Sequence, residues 1–135
     1  MTDHTKGVID TCVLIDLALY NLSDLPDMQL VTALTMAELA EGVAVARNDA
    51  DREARAQVLA IARRLYAPLP FDFRAARRYE ALATLVVAAG RKPKPRRIDL
   101  MIAATAAANV LPLYTSNPDD YRGLEPEVTV VAVSA

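Results

Sequence analysis

The sequence has very few residues that could form cross-links or bind a soft metal ion. Its 135 residues include one cysteine, Cys12, and one histidine, His4. A single cysteine excludes an intramolecular disulfide and favours a reducing compartment, which predicts a cytoplasmic protein. With so few sulfur and imidazole donors, a zinc or copper site is disfavoured. A chain of this length can bury a core without such cross-links, so we expect a single domain over residues 1–135.

Long apolar runs and an excess of one charge are also absent. No run reaches the roughly 18 residues that a membrane span needs, and residues 1–6 lack the apolar segment of a signal peptide. The 15 basic and 17 acidic residues nearly balance, so any attraction to nucleic acid must be local. Tryptophan is absent and only two phenylalanines occur. Stacking of bases on aromatic side chains is therefore not an obvious way for this protein to recognise nucleic acid.

Short apolar segments alternate with helical patterns along the chain. Strands are predicted at 7–9, 30–34, 113–115 and 128–133, and helices after residue 10 and at about 35–47, 49–66, 72–89 and 99–110. This alternation favours an α/β protein, a three-layer α/β/α sandwich around a mostly parallel central sheet. In such a sheet, ligands bind at the carboxyl ends of the strands.

Local signals add detail to three of these helices. Thr35 and Glu38 have the spacing of a capping box, and Asp72 and Gly90 suit the two ends of the helix at 72–89. The helix at 49–66 is expected to bury one apolar stripe, formed by Ala54, Val58, Ile61, Ala62 and Leu65. Prolines are expected to keep residues 91–97 out of a helix.

Four acidic residues fall at the predicted carboxyl edge of the sheet. Asp10 and Asp120 follow strands, whereas Glu38 and Asp99 lie near the starts of helices. Each has a simpler interpretation as a helix cap or a turn residue. Together, however, clustered carboxylates repel one another unless a cation neutralises them, and oxygen ligands prefer Mg²⁺ or Mn²⁺. The pattern therefore predicts a metal site for phosphodiester hydrolysis.

A basic segment directly precedes Asp99. Its charged residues, which we expect to bind the phosphates of RNA, are Arg91, Lys92, Lys94, Arg96 and Arg97. The alternative is a solvated loop that only contributes to solubility.

Four segments resemble the motifs of PIN-domain nucleases, in the same order and over nearly the whole chain. They are residues 8–11, 35–42, 99–106 and 115–121. The chain length and the Glu-Leu-x-x-Gly pattern at Glu38 are most similar to VapC, the toxin of VapBC toxin–antitoxin pairs. This resemblance implies a PIN-like fold and a Mg²⁺-dependent endoribonuclease that cleaves tRNA or ribosomal RNA. It also implies a homodimer inhibited by a VapB-like antitoxin.

The resemblance assigns roles to individual residues. Asp10 and Asp99 would hold the metal, Glu38 would hold it or orient the attacking water, and Asp120 would complete the site. Thr11, Thr115 and Asn117 would donate hydrogen bonds that orient the carboxylates. Because some family members carry an acid where this chain has Asn117, either Asp120 or Asp119 must fill the fourth acidic position.

The antitoxin would insert an arginine toward Asp10, Glu38 and Asp99. The apolar part of the same segment would bind a groove on the first two helices, formed by Leu14, Leu17, Ala40 and Val43.

Other functions fit the sequence less well. A haloacid-dehalogenase-like phosphatase needs a second aspartate where this chain has Cys12. A receiver domain needs an acidic pair near the first strand and a later lysine at a strand end, and neither is found. A PIN-like module that binds RNA or protein without cleaving it remains the alternative.

Overall fold

The computed structural model describes residues 5–135, so His4 lies outside the described part. The strands and helices are β1 (Lys6–Ile9), α1 (Thr11–Ile15), β2 (Met28–Leu30), α2 (Ala33–Ala44), α3 (Asp49–Leu65), α4 (Phe73–Ala88), α5 (Arg97–Ala108), β3 (Leu113–Thr115) and β4 (Val130–Ala132). Short 3₁₀ turns cover Leu17–Leu19, Leu22–Asp24, Lys94–Arg96 and Pro118–Tyr121. None of the helices in residues 5–135 is both long and apolar enough to cross a membrane.

Within the described residues, the strands form one sheet in the order β2-β1-β3-β4, and all of its pairs are parallel. Val8 pairs with Leu30 on one side and Leu113 on the other. The α/β prediction is therefore confirmed, with a sheet that is wholly parallel. Since parallel strands all end at the same edge, the residues that follow β1 and β3 are brought side by side.

The two faces of the sheet pack against different helices. Val8 and Leu113 point to one face, where they join a core that includes Leu82 of α4 and Leu100 of α5. The next residues, Ile9 and Tyr114, point to the other face and pack with α1, α2 and α3. The result is the expected three-layer sandwich, in which both faces of the central strands are apolar because both are covered.

The second strand and the capping of α2 differ from the prediction. β2 ends at Leu30, because the chain around Thr32 instead pairs with Leu69, whose N–H donates to the Val31 carbonyl at 2.9 Å. Thr32 caps α2, and its hydroxyl oxygen accepts from the backbone N–H of Thr35 at 3.2 Å. The predicted capping box of Thr35 and Glu38 is therefore wrong. Glu38 lies in the second turn of α2, free for another role.

The buried stripe predicted for α3 is only partly correct. Ala62 is buried, but Ile61 is 46 % exposed and Leu65 is 70 % exposed, and Ala54 is exposed as well. Leu59, which was not predicted, is buried instead. The helix packs against α2 and the core through a narrow face, and it leaves an apolar strip open on the side toward α1.

Helices α4 and α5 end in the same type of C-terminal motif but with different residues. After α4, the N–H groups of Gly90 and Arg91 donate to the carbonyls of Val87 and Val86, and Gly90 has a φ of 78°. Both ends of α4 agree with the prediction, since Asp72 accepts from the N–H of Ala75. After α5 the residue in the equivalent left-handed position is Val110, with a φ of 54°.

Replacing Val110 with glycine should stabilise the protein. A left-handed conformation costs an L-residue roughly 1–2 kcal/mol, and the extra chain entropy of glycine offsets about 0.5–1 kcal/mol of the gain. The Val110 side chain is 86 % exposed, so its removal sacrifices little packing. We expect a gain of about 1 kcal/mol in the free energy of unfolding, measured by urea denaturation.

The matched control is Val45→Gly. Val45 is also an exposed valine at a helix end, the C-cap of α2, but its φ is −96°. The control should bring no gain, and a lower urea midpoint for Val110→Gly would contradict the prediction.

Candidate active site

Asp10 lies where β1 ends and α1 begins, and only 6 % of its surface is exposed. One carboxylate oxygen, Oδ1, accepts from the backbone N–H of Thr11 at 2.9 Å, so Asp10 is indeed a helix cap. The other oxygen, Oδ2, accepts from the hydroxyls of Thr115 and Tyr121, each at 2.9 Å. These two donors come from distant parts of the sequence. A residue that only caps a helix does not need such hydrogen bonds.

Glu38 reaches the same edge of the sheet from α2. Its Oε1 accepts a hydrogen bond of 2.6 Å from the Thr11 hydroxyl, which also lies 3.0 Å from the hydroxyl of Thr35. Burial raises the pKa of Glu38, the Thr11 hydrogen bond lowers it, and the negative charges of Asp10 and Glu41 raise it further. Thr11 therefore positions Glu38 through its side chain and Asp10 through its backbone.

Asp99 lies in the first turn of α5 and is not its N-cap, because the helix begins after Arg96 without a side-chain cap. Its Oδ1 is 3.5 Å from the hydroxyl of Tyr121. Burial raises the pKa of Asp99 to about 6, with further increases from Asp10, Asp120 and Glu38 in that order and a decrease from the Tyr121 hydrogen bond. The four predicted acids are thus close enough to influence one another.

Asp120 and Asn117 stand at the outer rim of this cluster. Asp120 lies on the turn Pro118–Tyr121, and its Oδ1 is 3.9 Å from Nη1 of Arg96. Asn117 is exposed, and its backbone N–H donates to the Thr115 hydroxyl at 3.0 Å. The predicted orienting contact of Asn117 therefore comes from its backbone. Asp119 is exposed and Asp120 is half-buried, which favours Asp120 as the fourth acid.

Tyr121 is the residue that the sequence analysis missed. It is fully buried, and its hydroxyl lies between Asp10 and Asp99. Its pKa is raised far above the ordinary value, chiefly by burial and then by the charges of Asp10 and Asp99, so the phenol keeps its proton and donates a hydrogen bond to Asp10. The sequence offered only a weak signal, an aromatic residue directly after two acids.

The donor set is suited to a hydrated magnesium ion. Every candidate ligand is a carboxylate or hydroxyl oxygen, which Mg²⁺ prefers. Among residues 5–135, no three Asp, Glu, Cys or His side chains converge closely enough to hold an ion directly between them. Mg²⁺ usually keeps several waters and is bound by one or two carboxylates, so Asp10, Glu38 and Asp99 fit an open, hydrated ion rather than a closed cage.

The basic segment only partly matches its prediction. Lys94–Arg96 forms a 3₁₀ turn, and Arg97 already belongs to α5. The prolines cause no conflict, because the start of a helix does not need their missing N–H groups. Arg96 reaches the acids, and its Nη1 donates to the Asp120 carbonyl at 3.3 Å. Lys92, Lys94 and Arg97 are exposed to solvent, and Arg91 is half-buried.

Known proteins are similar to this chain in both sequence and fold. The chain is 35 % identical to ribonuclease VapC5 of Mycobacterium tuberculosis over 134 residues, which cover 96 % of this chain and 95 % of the relative. The chain belongs to the VapC ribonuclease family. No model of a protein family matches it.

Solved structures agree with this assignment. A crystal structure of VapBC-5 from Mycobacterium tuberculosis, a member of the VapBC family of toxin–antitoxin systems, superposes with a TM-score of 0.82 at 34 % identity and covers 97 % of this chain and 99 % of that chain. VapBC2 from Rickettsia felis, solved with a DNA fragment from its promoter, has a TM-score of 0.73 at 20 % identity over 96 % of this chain and 99 % of that chain. The second similarity concerns the fold alone.

Proposed function

We propose that this VapC-family protein is a toxin that cleaves RNA internally, by Mg²⁺-dependent hydrolysis of a phosphodiester bond. The main supporting observation is that Asp10, Glu38 and Asp99, from three different elements, lie at one edge of the sheet, where burial and then the charge of Asp10 raise the pKa of both Glu38 and Asp99. The relative in Mycobacterium tuberculosis is named a ribonuclease, which supports the same reaction.

Each residue has a role that its contacts support. A bound Mg²⁺, or Mn²⁺ in its place, would neutralise the scissile phosphate and activate a water molecule. Thr115 and Tyr121 hold Oδ2 of Asp10 in place, and the Tyr121 hydroxyl also lies 3.5 Å from Oδ1 of Asp99. Because Oε1 of Glu38 is occupied by Thr11, Oε2 remains to accept a proton from the attacking water. Asp120 contributes negative charge from the rim.

For the substrate, we propose a tRNA or a ribosomal RNA, bound by a homodimer. The exposed cations of the basic segment, Lys92, Lys94 and Arg97, are near the catalytic edge and can contact phosphates beside the cut. Arg96 has a different role, because it already contacts Asp120.

The experiment that tests this function measures cleavage of bulk tRNA and of ribosomal RNA by the purified protein with Mg²⁺ and with EDTA. We expect discrete fragments with Mg²⁺ and intact RNA with EDTA. Binding of RNA without any cleavage in Mg²⁺ or Mn²⁺ would instead establish the alternative, a PIN-like module that binds without cleaving.

We also propose a VapB-like antitoxin as the partner, and a groove next to the acids is its binding site. The groove has two parts. The part near the acids is lined by Thr11, Ile15, Glu38, Leu39, Gly42, Arg55 and Val58. The second part follows α3 and is lined by residues that include Leu14, Leu17, Ile61 and Leu65. The predicted residues Ala40 and Val43 pack against the core instead, so α3 supplies the wall that they were expected to form. An apolar segment with an arginine at its Glu38 end would fit both parts.

Replacing Ile15 with glutamate should weaken antitoxin binding. Ile15 lines both parts of the groove and is 54 % exposed, so the new charge is tolerated in the free protein but must be desolvated in the complex. By analogy with interface hot spots, we expect the dissociation constant to rise about thirtyfold or more in calorimetry.

The matched control is Leu19→Glu, at an exposed leucine that does not line the groove. The affinity of the Leu19→Glu variant for the antitoxin should equal that of the parent protein. If the antitoxin arginine occupies the metal site, increasing Mg²⁺ should also weaken the complex, because both cations bind the same carboxylates. An equal loss of affinity in both variants would place the antitoxin elsewhere.

A further inference from the structure

A second cluster of positive charge lies at the opposite edge of the sheet from the acids. Arg74, Arg77 and Arg78 of α4 line a cavity of about 600 Å³ together with Ala81, Ala108 and Glu127. Because α5 begins at the acidic edge and ends at Ala108, the cavity is separated from Asp99 by most of that helix. It therefore belongs neither to the catalytic site nor to the basic segment at 91–97.

The charge of this cavity favours an anion. Arg78 forms an ion pair of 3.3 Å with Glu127, and Arg74 is 3.6 Å from Asp72. Arg77 forms no ion pair with any residue of the described chain, so the cavity keeps an excess of positive charge. Nη1 of Arg74 donates to the Ala108 carbonyl and Nη2 donates to the Asn109 side chain, each at 3.5 Å. Planar guanidinium groups suit phosphate oxygens.

An exposed aromatic ring lies next to these arginines. Phe73 is 76 % exposed, and it is four residues before Arg77, which places both on the same face of α4. The other Phe and Tyr residues of the described chain are at least partly buried. An exposed phenylalanine beside arginines is typical of nucleic-acid binding, where bases stack on the ring and phosphates bind the cations.

The distance between this cavity and the active site sets the length of RNA that can contact both. Asp99 and Ala108 are separated along α5 by about 14 Å, at roughly 1.5 Å per residue. We propose that Phe73, Arg74 and Arg77 form a second RNA contact, which binds phosphates and a base of a folded RNA substrate away from the cleaved bond. The proposal rests on the proposed ribonuclease function and extends it, since it predicts a preference for RNA that reaches both sites over fragments that are too short to do so.

The test measures RNA binding in a protein that cannot cleave. The dissociation constant for bulk tRNA is measured for Asp99→Asn alone and with Arg74→Ser and Arg77→Ser added. We expect the added changes to raise the dissociation constant about tenfold or more, roughly the effect of removing one charged hydrogen bond. The slope of log affinity against log salt should fall by about 0.7–0.9 for each phosphate that the variant no longer binds. Arg77→Ser alone, which breaks no ion pair, should show the same trend if the double variant is unstable.

Three comparisons make the result specific. Arg63→Ser with Arg64→Ser removes the same charge from α3 and should leave tRNA affinity unchanged. In the catalytically intact protein, kcat/KM on a dinucleotide, which is too short to reach both sites, should be the same with and without the arginine changes. Sedimentation should give the same mass for all variants.

Unchanged tRNA affinity in the arginine variants would overturn the proposal, and so would an equal decrease of kcat/KM on the dinucleotide. A change in mass would also overturn it, because it would assign the cavity to an interface between two copies of the chain. If the protein cleaves no RNA at all, the ribonuclease function fails, but the tRNA measurement still decides whether this cavity binds RNA.

Discussion

Replacing Asp99 with asparagine should abolish RNA cleavage while the protein remains folded. Asparagine keeps the size of the side chain but removes the charge that would hold Mg²⁺ beside Asp10. Metal assistance is worth several kcal/mol of transition-state stabilisation, so cleavage should fall about a thousandfold or more. The measurement is the initial rate on the RNA that the parent protein cleaves, over a range of Mg²⁺ concentrations.

The stability of the same variant provides an independent result. The pKa of Asp99 is raised to about 6 in the folded protein, from an ordinary value of 3.8. Between about pH 4 and pH 6 the folded state therefore binds more protons than the unfolded state, and the stability falls as the pH rises. Above this window the full cost of the charged form is present. Without divalent metal, Asp99→Asn should have the higher Tm at pH 7, and the difference should shrink toward pH 4.

Glu80→Gln is the matched control. It removes one carboxylate from an exposed position of α4, so it should retain both the activity and the pH dependence of the parent protein. Full ribonuclease activity in carefully purified Asp99→Asn would exclude Asp99 as a metal ligand. A Tm difference that is the same at pH 4 and pH 7 would show that neither burial nor the neighbouring acids raise the pKa of Asp99.

Replacing Tyr121 with phenylalanine should lower kcat by about 10- to 100-fold, the usual effect of removing a residue that orients a metal ligand. The ring is fully buried and would still fill its space, but Asp10 would lose a hydrogen bond of 2.9 Å. Asp10 would then be less well oriented toward the metal. The concentration of Mg²⁺ that gives half-maximal activity should therefore rise, which a purely structural role of the ring would not cause.

Tyr79→Phe is the corresponding control, since Tyr79 is only partly buried and packs edge-on against Phe71 on the outer side of the fold. It should change neither kcat nor the Mg²⁺ requirement. If Tyr121→Phe also matches the parent protein in both quantities, the buried hydroxyl does not position Asp10.

The sequence by itself determined the features that depend on neighbouring residues. The bounds of α4 were predictable because Asp72 caps its first turn and Gly90 adopts a positive φ after its last. The position of β3 was predictable because Pro112 and a polar turn enclose three residues, Leu113, Tyr114 and Thr115, that predict a short buried strand. The placement of Asp10 and Asp99 at one edge followed from alternating strands and helices, since parallel strands end on the same side.

Only the tertiary structure decided which residues contact these acids. The cap of α2 moved to Thr32 because a distant segment at Leu69 pairs with the backbone there, and this released Glu38 for Thr11. The exposed strip of α3 depends on how far α1 and α2 cover that helix. The pattern of apolar residues within 49–65 does not contain this information. Tyr121 reaches Asp10 across 111 residues of sequence. Such contacts are set by the packing of the layers, so local sequence patterns do not specify them.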